Sequence, residues 1–285
     1  MHCHSLSLIA SMTHGLLIAR TCDLADAKDV NRNELEFYQD DCRSLWTDRR
    51  RRYFGGRIMT MLNDLFYPSG TSLHKMVIGQ SGSGKSFFME ETAKAFMRQN
   101  NDPNFRLIYF SPKNEGFTDL LDKKQKPCSC EEGMKKQIAE NRVVVIYPEI
   151  TGLSDTMDEV INALFDIKDE NPDFKATIII DDAQVFLSSR KAASDAFNRI
   201  ALLGRSRNLN AIYVSHAVVL NKSLEGQVDI MAMFTLPSKL HWKATDERFG
   251  FDPAPYVNSL KADDYSFLYV DIRKGTVNMM NPIGA

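Results

Sequence analysis

The stretch "KMVIGQSGSGKSFF", residues 75–88, joins an apolar run to a glycine-rich turn and then to a second apolar segment. It fits the pattern G-x-x-x-x-G-K-[ST], with Gly79, Gly84, Lys85 and Ser86 at the fixed positions. Glycines there allow positive φ angles, so successive backbone N–H groups can point into one concavity and hold a phosphate. Because the run before the turn predicts a buried strand and the segment after it predicts a helix, the helix N-terminus would face the anion.

This phosphate-binding loop predicts ATP and Mg²⁺ as the cofactors. In such loops the lysine reaches the β- and γ-phosphate oxygens, and the hydroxyl of the next residue coordinates Mg²⁺. We assign these roles to Lys85 and Ser86. The predicted nucleotide-binding residues are Gly79, Gln80, Ser81, Gly82, Ser83, Gly84, Lys85, Ser86 and Phe87.

Two acidic residues end another apolar run, "ATIIIDDAQ", residues 176–184. In hydrolases with a phosphate loop, a carboxylate at a strand end holds the Mg²⁺ shell, and the next residue can polarise the attacking water. We assign the first role to Asp181 and the second to Asp182. An acidic pair alone also fits a cap of the following turn, but a phosphate loop about 95 residues upstream favours the nucleotide site.

The pattern of apolar runs predicts the fold class. Helical patterns separate most of these runs, which lie at residues 75–79, 105–112, 142–148, 176–182, 210–216 and 229–236. Runs that are apolar on both faces and alternate with helices imply a mainly parallel sheet covered on both sides. We therefore predict an α/β P-loop NTPase fold, and residues 263–280 predict a C-terminal β-hairpin with Lys274 and Gly275 near its turn.

The N-terminal part of the chain has a different composition. Residues 23–67 are charged and mostly helix-permissive, and they include four consecutive arginines, Arg49 to Arg52. The stretch "YPSGTS", residues 67–72, is rich in residues that favour turns, which indicates a boundary. We therefore place a partly helical, basic N-terminal extension at 1–70 and the ATPase domain at 71–285. The arginine run is either a solvated helix face or an element that contacts phosphate or another subunit.

Charge and cysteine usage limit the remaining interpretations. The formal net charge is −2, so any contact with DNA must come from a local patch. Lys113, Arg190 and Lys191 are candidates for such a patch, and ordinary solvated loops are the alternative. The five cysteines show no disulfide framework and fit a reducing compartment, while Cys128 and Cys130 are either half of a metal site or part of a solvated loop.

The order of the motifs resembles the FtsK/HerA superfamily of P-loop DNA translocases over roughly residues 75–282. The resemblance is carried by "GQSGSGKS", then "IIIDDAQ", then "LLGRSRNLNAIYVSH", followed by an apolar strand and a short hairpin. Within the superfamily, the compact size looks like the genome-packaging ATPases of tailless, membrane-containing double-stranded DNA viruses. That family usually has glutamate where Asp182 stands and glutamine where this strand ends in Ser215 and His216.

The resemblance implies a ring, usually a hexamer, in which an arginine of one subunit reaches the γ-phosphate bound by its neighbour. Arg205 is our first candidate, Arg207 the second, and Arg199 the next; the alternative for each is a surface cation near the C-terminal end of a helix. The resemblance also implies sequence-independent binding of double-stranded DNA and a capsid or membrane portal protein as a partner.

His216 is the candidate sensor of the nucleotide, because it follows a strand at the edge where ligands of open α/β sheets bind. The alternative is a solvent-facing residue at a strand end. No segment fits a signal peptide or a membrane span, so we expect a protein of the host cytoplasm or the virion.

Two other functions stay open at this stage. One is a conjugative or filamentous-phage-type ATPase that transfers DNA, and the other is a small-molecule kinase or a nucleotide-dependent switch. Stimulation of ATP hydrolysis by double-stranded DNA separates a motor from the second of these, because neither a kinase nor a switch has reason to respond.

Overall fold

An eight-stranded sheet forms the centre of the computed structural model, which describes residues 60–68, 74–121, 125–128, 133–186, 194–216, 218, 224, 226–260 and 265–280. The strands are β1 His74–Ile78, β2 Phe105–Phe110, β3 Val143–Ile146, β4 Lys175–Ile180, β5 Leu209–Ser215, β6 Val228–Met233, β7 Phe267–Asp271 and β8 Thr276–Met280. Their order is β3-β2-β4-β5-β1-β6-β7-β8. The first six pair in parallel, and β7 and β8 continue the sheet antiparallel, which confirms the predicted hairpin.

Helices cover both faces of this sheet. They are α1 Lys85–Gln99, α2 Met134–Glu140, α3 Leu153–Glu170, α4 Asp195–Leu203 and α5 Lys239–Phe249, with a further helical segment at residues 60–66. One apolar cluster joins the sheet to α2, α3 and α4, and a second joins it to α1 and the 60–66 segment. The predicted α/β fold, with a mainly parallel sheet between two helical layers, is confirmed.

Strand β4 shows why its sequence reads as a continuous apolar run. Ile178 and Ile180 belong to the cluster on one face, whereas Ile179 between them belongs to the cluster on the other. Successive side chains of a strand point to opposite faces, so a strand covered on both sides is apolar at consecutive positions rather than at alternate ones.

The described part of the N-terminal extension packs on the sheet. Within the 60–66 helix, Met61, Leu62, Leu65 and Phe66 are buried in the second cluster. The domain boundary near residue 70 stays a prediction, and the arginine run lies outside the described residues. Among the helices that the structure describes, none combines the length and the apolar composition needed to cross a bilayer.

A buried ion pair connects the neighbouring strands β1 and β6. Lys75 Nζ lies 3.0 Å from Asp229 Oδ1, and both side chains are fully buried. The other carboxylate oxygen of Asp229 lies 2.9 Å from Nη2 of Arg273 in the hairpin. Burial lowers the pKa of Lys75, and the charge of Asp229 opposes this effect. The pair therefore joins the phosphate-loop strand to the C-terminal part of the sheet.

We predict that Asp229→Asn lowers the free energy of unfolding by about 3 to 5 kcal/mol, because it leaves Lys75 buried without its charge partner. The matched control is Glu170→Gln, which removes an exposed pair with Lys135 and should cost less than about 1 kcal/mol. Urea denaturation measures both. Equal, small losses in the two variants would contradict the importance of the buried pair.

Candidate active site

The glycine-rich loop between β1 and α1 has the geometry of a phosphate cradle. Gly82 and Gly84 have φ angles of 76° and 91°, and α1 begins at Lys85 without a side-chain cap. Hydrogen bonds from Gly79 N to Ser215 O (3.3 Å) and from Gln80 N to Thr235 O (2.8 Å) anchor the loop. The uncapped N–H groups of the first helical turn remain available to an anion.

Two glycines of this loop are required by close packing. A Cβ atom on Gly79 would lie 2.6 Å from Cβ of Phe234, and a Cβ atom on Gly84 would lie 2.6 Å from the ring of Tyr265. At Gly84 the positive φ adds backbone strain for any other residue. The loop can therefore keep its course only with glycine at both positions.

Lys85 reaches across the loop. Its Nζ donates a hydrogen bond to Gln80 O at 2.9 Å and lies 3.3 Å from Nδ1 of His216. Burial lowers the pKa of Lys85 to about 8. The ammonium group is thus positioned over the cradle, where phosphate oxygens can take over as its partners.

Asp181 lies at the carboxyl end of β4 and is almost completely buried. The hydroxyl of Tyr109 donates to its Oδ2 at 3.1 Å, and Oγ of Ser111 lies 3.5 Å from the same atom. Burial, and then the charge of Asp182, raise the pKa of Asp181. Two neighbours therefore orient this carboxylate within the sheet edge.

Asp182 has a different environment, although it is the next residue. Its φ of 48° turns the carboxylate away from the strand, where it meets three side chains. Lys113 Nζ lies 2.9 Å from Oδ2, Gln184 Nε2 donates to Oδ1 at 3.1 Å, and His216 Nε2 lies 3.2 Å from Oδ1. Burial alone would raise the pKa of Asp182, but hydrogen bonds from Lys113 and Gln184 hold it below its usual value.

His216 connects the lysine to this carboxylate. Because Lys85 donates to Nδ1, the ring proton lies on Nε2, which faces Asp182. Lys85, His216 and Asp182 thus form a continuous chain of polar contacts at the carboxyl ends of β1, β4 and β5. A residue in this position can respond to charge on either side of it.

These groups line one cleft with a volume of about 440 Å³. The lining residues are Ser81, Gly82, Gly84, Lys85, Ser86, Phe87, Lys113, Asp181, Asp182, His216 and Tyr265. Ser86 and Asp181 provide oxygen ligands to this cleft. Two protein ligands are enough for Mg²⁺, because this ion usually keeps several waters and also binds phosphate oxygens of the substrate. Within the described ranges, no group of three His, Cys, Asp or Glu side chains could hold a metal ion by itself.

The arginine candidates lie at the opposite edge of the sheet. Arg205 and Arg207 precede β5, whereas His216 follows it. Arg207 forms an ion pair with Asp169 at 2.8 Å, and the guanidinium carbon of Arg199 lies 4.1 Å from the ring centroid of Phe165. The structure therefore unites the predicted loop, acidic pair and His216, but it does not bring the arginines to them.

Sequence reasoning did not assign three residues to this site: Lys113 and Tyr265, which line the cleft, and Tyr109, which contacts Asp181. Lys113 is one of the predicted DNA-contact residues, yet its ammonium group faces Asp182. Its position just after β2, at the carboxyl ends of the parallel strands, could have indicated a place in the cleft. Nothing in the sequence indicated the contact of Tyr265 with Gly84. The other DNA-contact candidates, Arg190 and Lys191, lie outside the described residues, as does Cys130.

Similar solved structures support the fold. The chain matches the genome packaging NTPase B204 from Sulfolobus turreted icosahedral virus 2 in complex with ATP-gammaS at a TM-score of 0.62 and 18% identity, over 74% of this chain and 98% of that one. The cytoplasmic domain of the type VII secretion ATPase EccC from Thermomonospora curvata matches at 0.51 and 15%, over 74% of this chain and 25% of that one. VirB4 of Thermoanaerobacter pseudethanolicus matches at 0.50 and 12%, over 74% and 90%.

No protein-family model matches the sequence, and no curated protein matches it. The structural likenesses, all at low identity, confirm the α/β NTPase fold that the sequence predicts.

We predict that Asp181→Asn loses Mg²⁺-dependent nucleotide binding, whereas Asp182→Asn keeps binding and loses turnover. The reason is that Asp181 is held at the strand end beside the phosphate loop, while Asp182 is ionised and turned toward the cleft. Titration of a fluorescent ATP analogue with and without Mg²⁺, together with a phosphate-release assay, measures the two effects. Identical losses in both variants would contradict this division of roles.

Proposed function

We propose that this chain is an ATP-driven translocase of double-stranded DNA that packages a viral genome as a ring of identical subunits. The observation that carries the proposal is the cleft in which Lys85, Asp181, Asp182 and His216 converge beside the phosphate loop. The likeness to B204, described as a genome packaging NTPase, supports the choice of motor because it extends over nearly all of that chain. A capsid or membrane portal protein would be the further partner.

Each cleft residue has a task in ATP hydrolysis. Lys85 supplies positive charge to the β- and γ-phosphates, and the ionised Asp182 polarises the attacking water. Ser86 and Asp181 would hold Mg²⁺, which would supply positive charge to the phosphate oxygens. His216, between Lys85 and Asp182, senses whether the γ-phosphate is present.

The arginine for this reaction comes from a second copy of the chain. Strand β5 has seven residues and separates Arg205 from the cleft, a distance of roughly 23 Å at about 3.3 Å per residue. Arg205 therefore cannot serve its own nucleotide. Next to it, Leu202 and Leu203 are 64% and 47% exposed, which suits a surface covered by a neighbouring subunit. We rank Arg207, which forms an ion pair with Asp169 of α3, second, and Arg199, which stacks on Phe165 of α3, third.

The first test of this function is the response to DNA. We predict that double-stranded DNA of unrelated sequences raises the ATPase rate several-fold, and that the protein assembles into a ring whose mass is a multiple of the 32.4 kDa subunit. Steady-state phosphate release and mass photometry measure the two properties. A rate that does not respond to DNA would contradict the motor and favour a kinase or a switch.

The second test concerns the arginine supplied by a neighbour. Arg205→Ala keeps its own phosphate loop, and Lys85→Ala keeps its arginine, so we predict that each variant is inactive alone. Mixed subunits place some intact loops beside intact arginines and should recover a rate of at least tenfold above either variant, still well below wild type. The DNA-stimulated ATPase rate is measured across mixing ratios at fixed total protein.

Two controls make the mixing test decisive. Mixing Arg205→Ala with Lys94→Ala, a lysine paired with Glu90 on the outer face of α1, should give activity, because the second variant retains a complete site. Subunit exchange is verified with differently labelled chains. If the subunits exchange and no ratio exceeds the background, Arg205 does not act on a neighbour, and Arg207 is tested in the same way.

A further inference from the structure

The first residue of β1, His74, is buried between β5 and α4 and has both ring nitrogens engaged. Ala211 N donates to Nδ1 at 3.0 Å, and Nε2 lies 3.0 Å from Ile200 O. A nitrogen that accepts a hydrogen bond carries no proton, so the proton lies on Nε2, which donates to the carbonyl. Burial lowers the pKa of His74 to about 4, so the ring keeps this neutral form at physiological pH.

The carbonyl of Ile200 belongs to the last turn of α4, immediately before the turn that carries Arg205. It also accepts the N–H of Gly204 at 2.8 Å, and Gly204 O in turn accepts the N–H of Leu209 at 2.8 Å. A Cβ atom on Gly204 would lie 2.4 Å from Ile200 O and 3.1 Å from Cε1 of His74. The imidazole, the helix end and the turn are therefore in direct contact, without space for a side chain at Gly204.

We propose that His74 is a positioning residue, which holds the Arg205 turn in place through the hydrogen bond from its Nε2 to Ile200 O. The use of that turn by a neighbouring subunit rests on the function proposed above. His74 does not touch the nucleotide cleft of its own subunit, since β1 places its five residues, about 16 Å, between the imidazole and the phosphate loop. Its effect should therefore appear at Arg205 and not at nucleotide binding.

Two substitutions separate the two hydrogen bonds of the ring. In His74→Asn, the side-chain oxygen can replace Nδ1 and accept from Ala211, but nothing reaches Ile200 O. In His74→Gln, the longer amide can replace Nε2 and donate to Ile200 O, but the bond from Ala211 is lost. Each variant loses one buried hydrogen bond, so both should lose similar stability, and only the Asn variant should release the turn.

Hydrogen exchange tests the positioning directly. We expect the amides of Gly204 and Leu209 to exchange about tenfold faster in His74→Asn than in His74→Gln, the effect of losing about one buried hydrogen bond. Both variants should bind a fluorescent ATP analogue as the wild type does. A control variant, Tyr213→Phe, removes a buried hydroxyl from the ring that packs on His74 but keeps both hydrogen bonds of the imidazole, and it should leave both amides protected. Equal protection of the two amides in the Asn and Gln variants would overturn the inference.

Activity provides the second measurement. DNA-stimulated turnover should fall about tenfold in His74→Asn without a change in KM for ATP, and His74→Gln should retain most of it. Mixing His74→Asn with Lys85→Ala should restore part of the rate, because the intact arginine of the Lys85→Ala subunit then serves the intact loop of the Asn variant. An Asn variant that keeps full turnover while Arg205→Ala is inactive, or that no mixture rescues while Arg205→Ala is rescued, would overturn the role of His74.

The two proposals fail in different ways. If the mixture of Arg205→Ala and Lys85→Ala shows no rescue, but the Gly204 and Leu209 amides respond as expected, the neighbour's use of Arg205 is wrong and the positioning by His74 stands. If that mixture is rescued and the amides stay protected in His74→Asn, the positioning is wrong and the proposed function stands.

Discussion

The parallel pairing of β1 with β5 determines how the phosphate loop, His216 and the Arg205 turn lie relative to one another. Its register, from Lys75 opposite Ile212 to Ile78 opposite Ser215, brings the phosphate loop and His216 together at the carboxyl ends of the two strands. The same pairing brings His74 next to the turn that precedes β5, at the amino ends. A shift of one residue would move each side chain to the other face of the sheet and separate both groups.

At the carboxyl ends of the strands, the adjacent carboxylates of Asp181 and Asp182 have unlike surroundings. Asp181 faces tyrosine and serine hydroxyls in a buried position, whereas Asp182 faces the cation of Lys113. Their pKa values consequently move in opposite directions, and this divergence is how neighbouring acids acquire different tasks. The positive φ of Asp182 keeps its carboxylate at the same cleft as Asp181, since an extended residue there would place its side chain on the opposite face of β4.

The sequence was sufficient to predict the fold and most of the cleft, because short stretches of sequence indicate those features. A few adjacent residues are enough to recognise the loop glycines, the helix after them and the apolar run before Asp181. Tyr109, Lys113, Tyr265 and His74 do not, because their roles are contacts with segments distant in the chain: Tyr109 lies 72 residues from Asp181, and His74 lies 126 from Ile200. Only the strand register brings such pairs together, and a single sequence does not encode it in any local pattern.

The separation of the cleft from Arg205 also constrains how copies of the chain can assemble. A twofold interface repeats every contact in reverse, so it could pair Arg205 of each subunit with the nucleotide of the other only if one patch contained both the cleft and the Arg205 turn. A head-to-tail contact uses two different surfaces instead, so the arginine turn of one subunit can face the cleft of the next. Subunits can be added through such contacts one after another, and they form a ring when the rotation between successive subunits brings the last copy back to the first. The ring of the proposed function is thus the closed form of a head-to-tail contact between the nucleotide loop and the arginine turn, which lie at opposite ends of the adjacent strands β1 and β5.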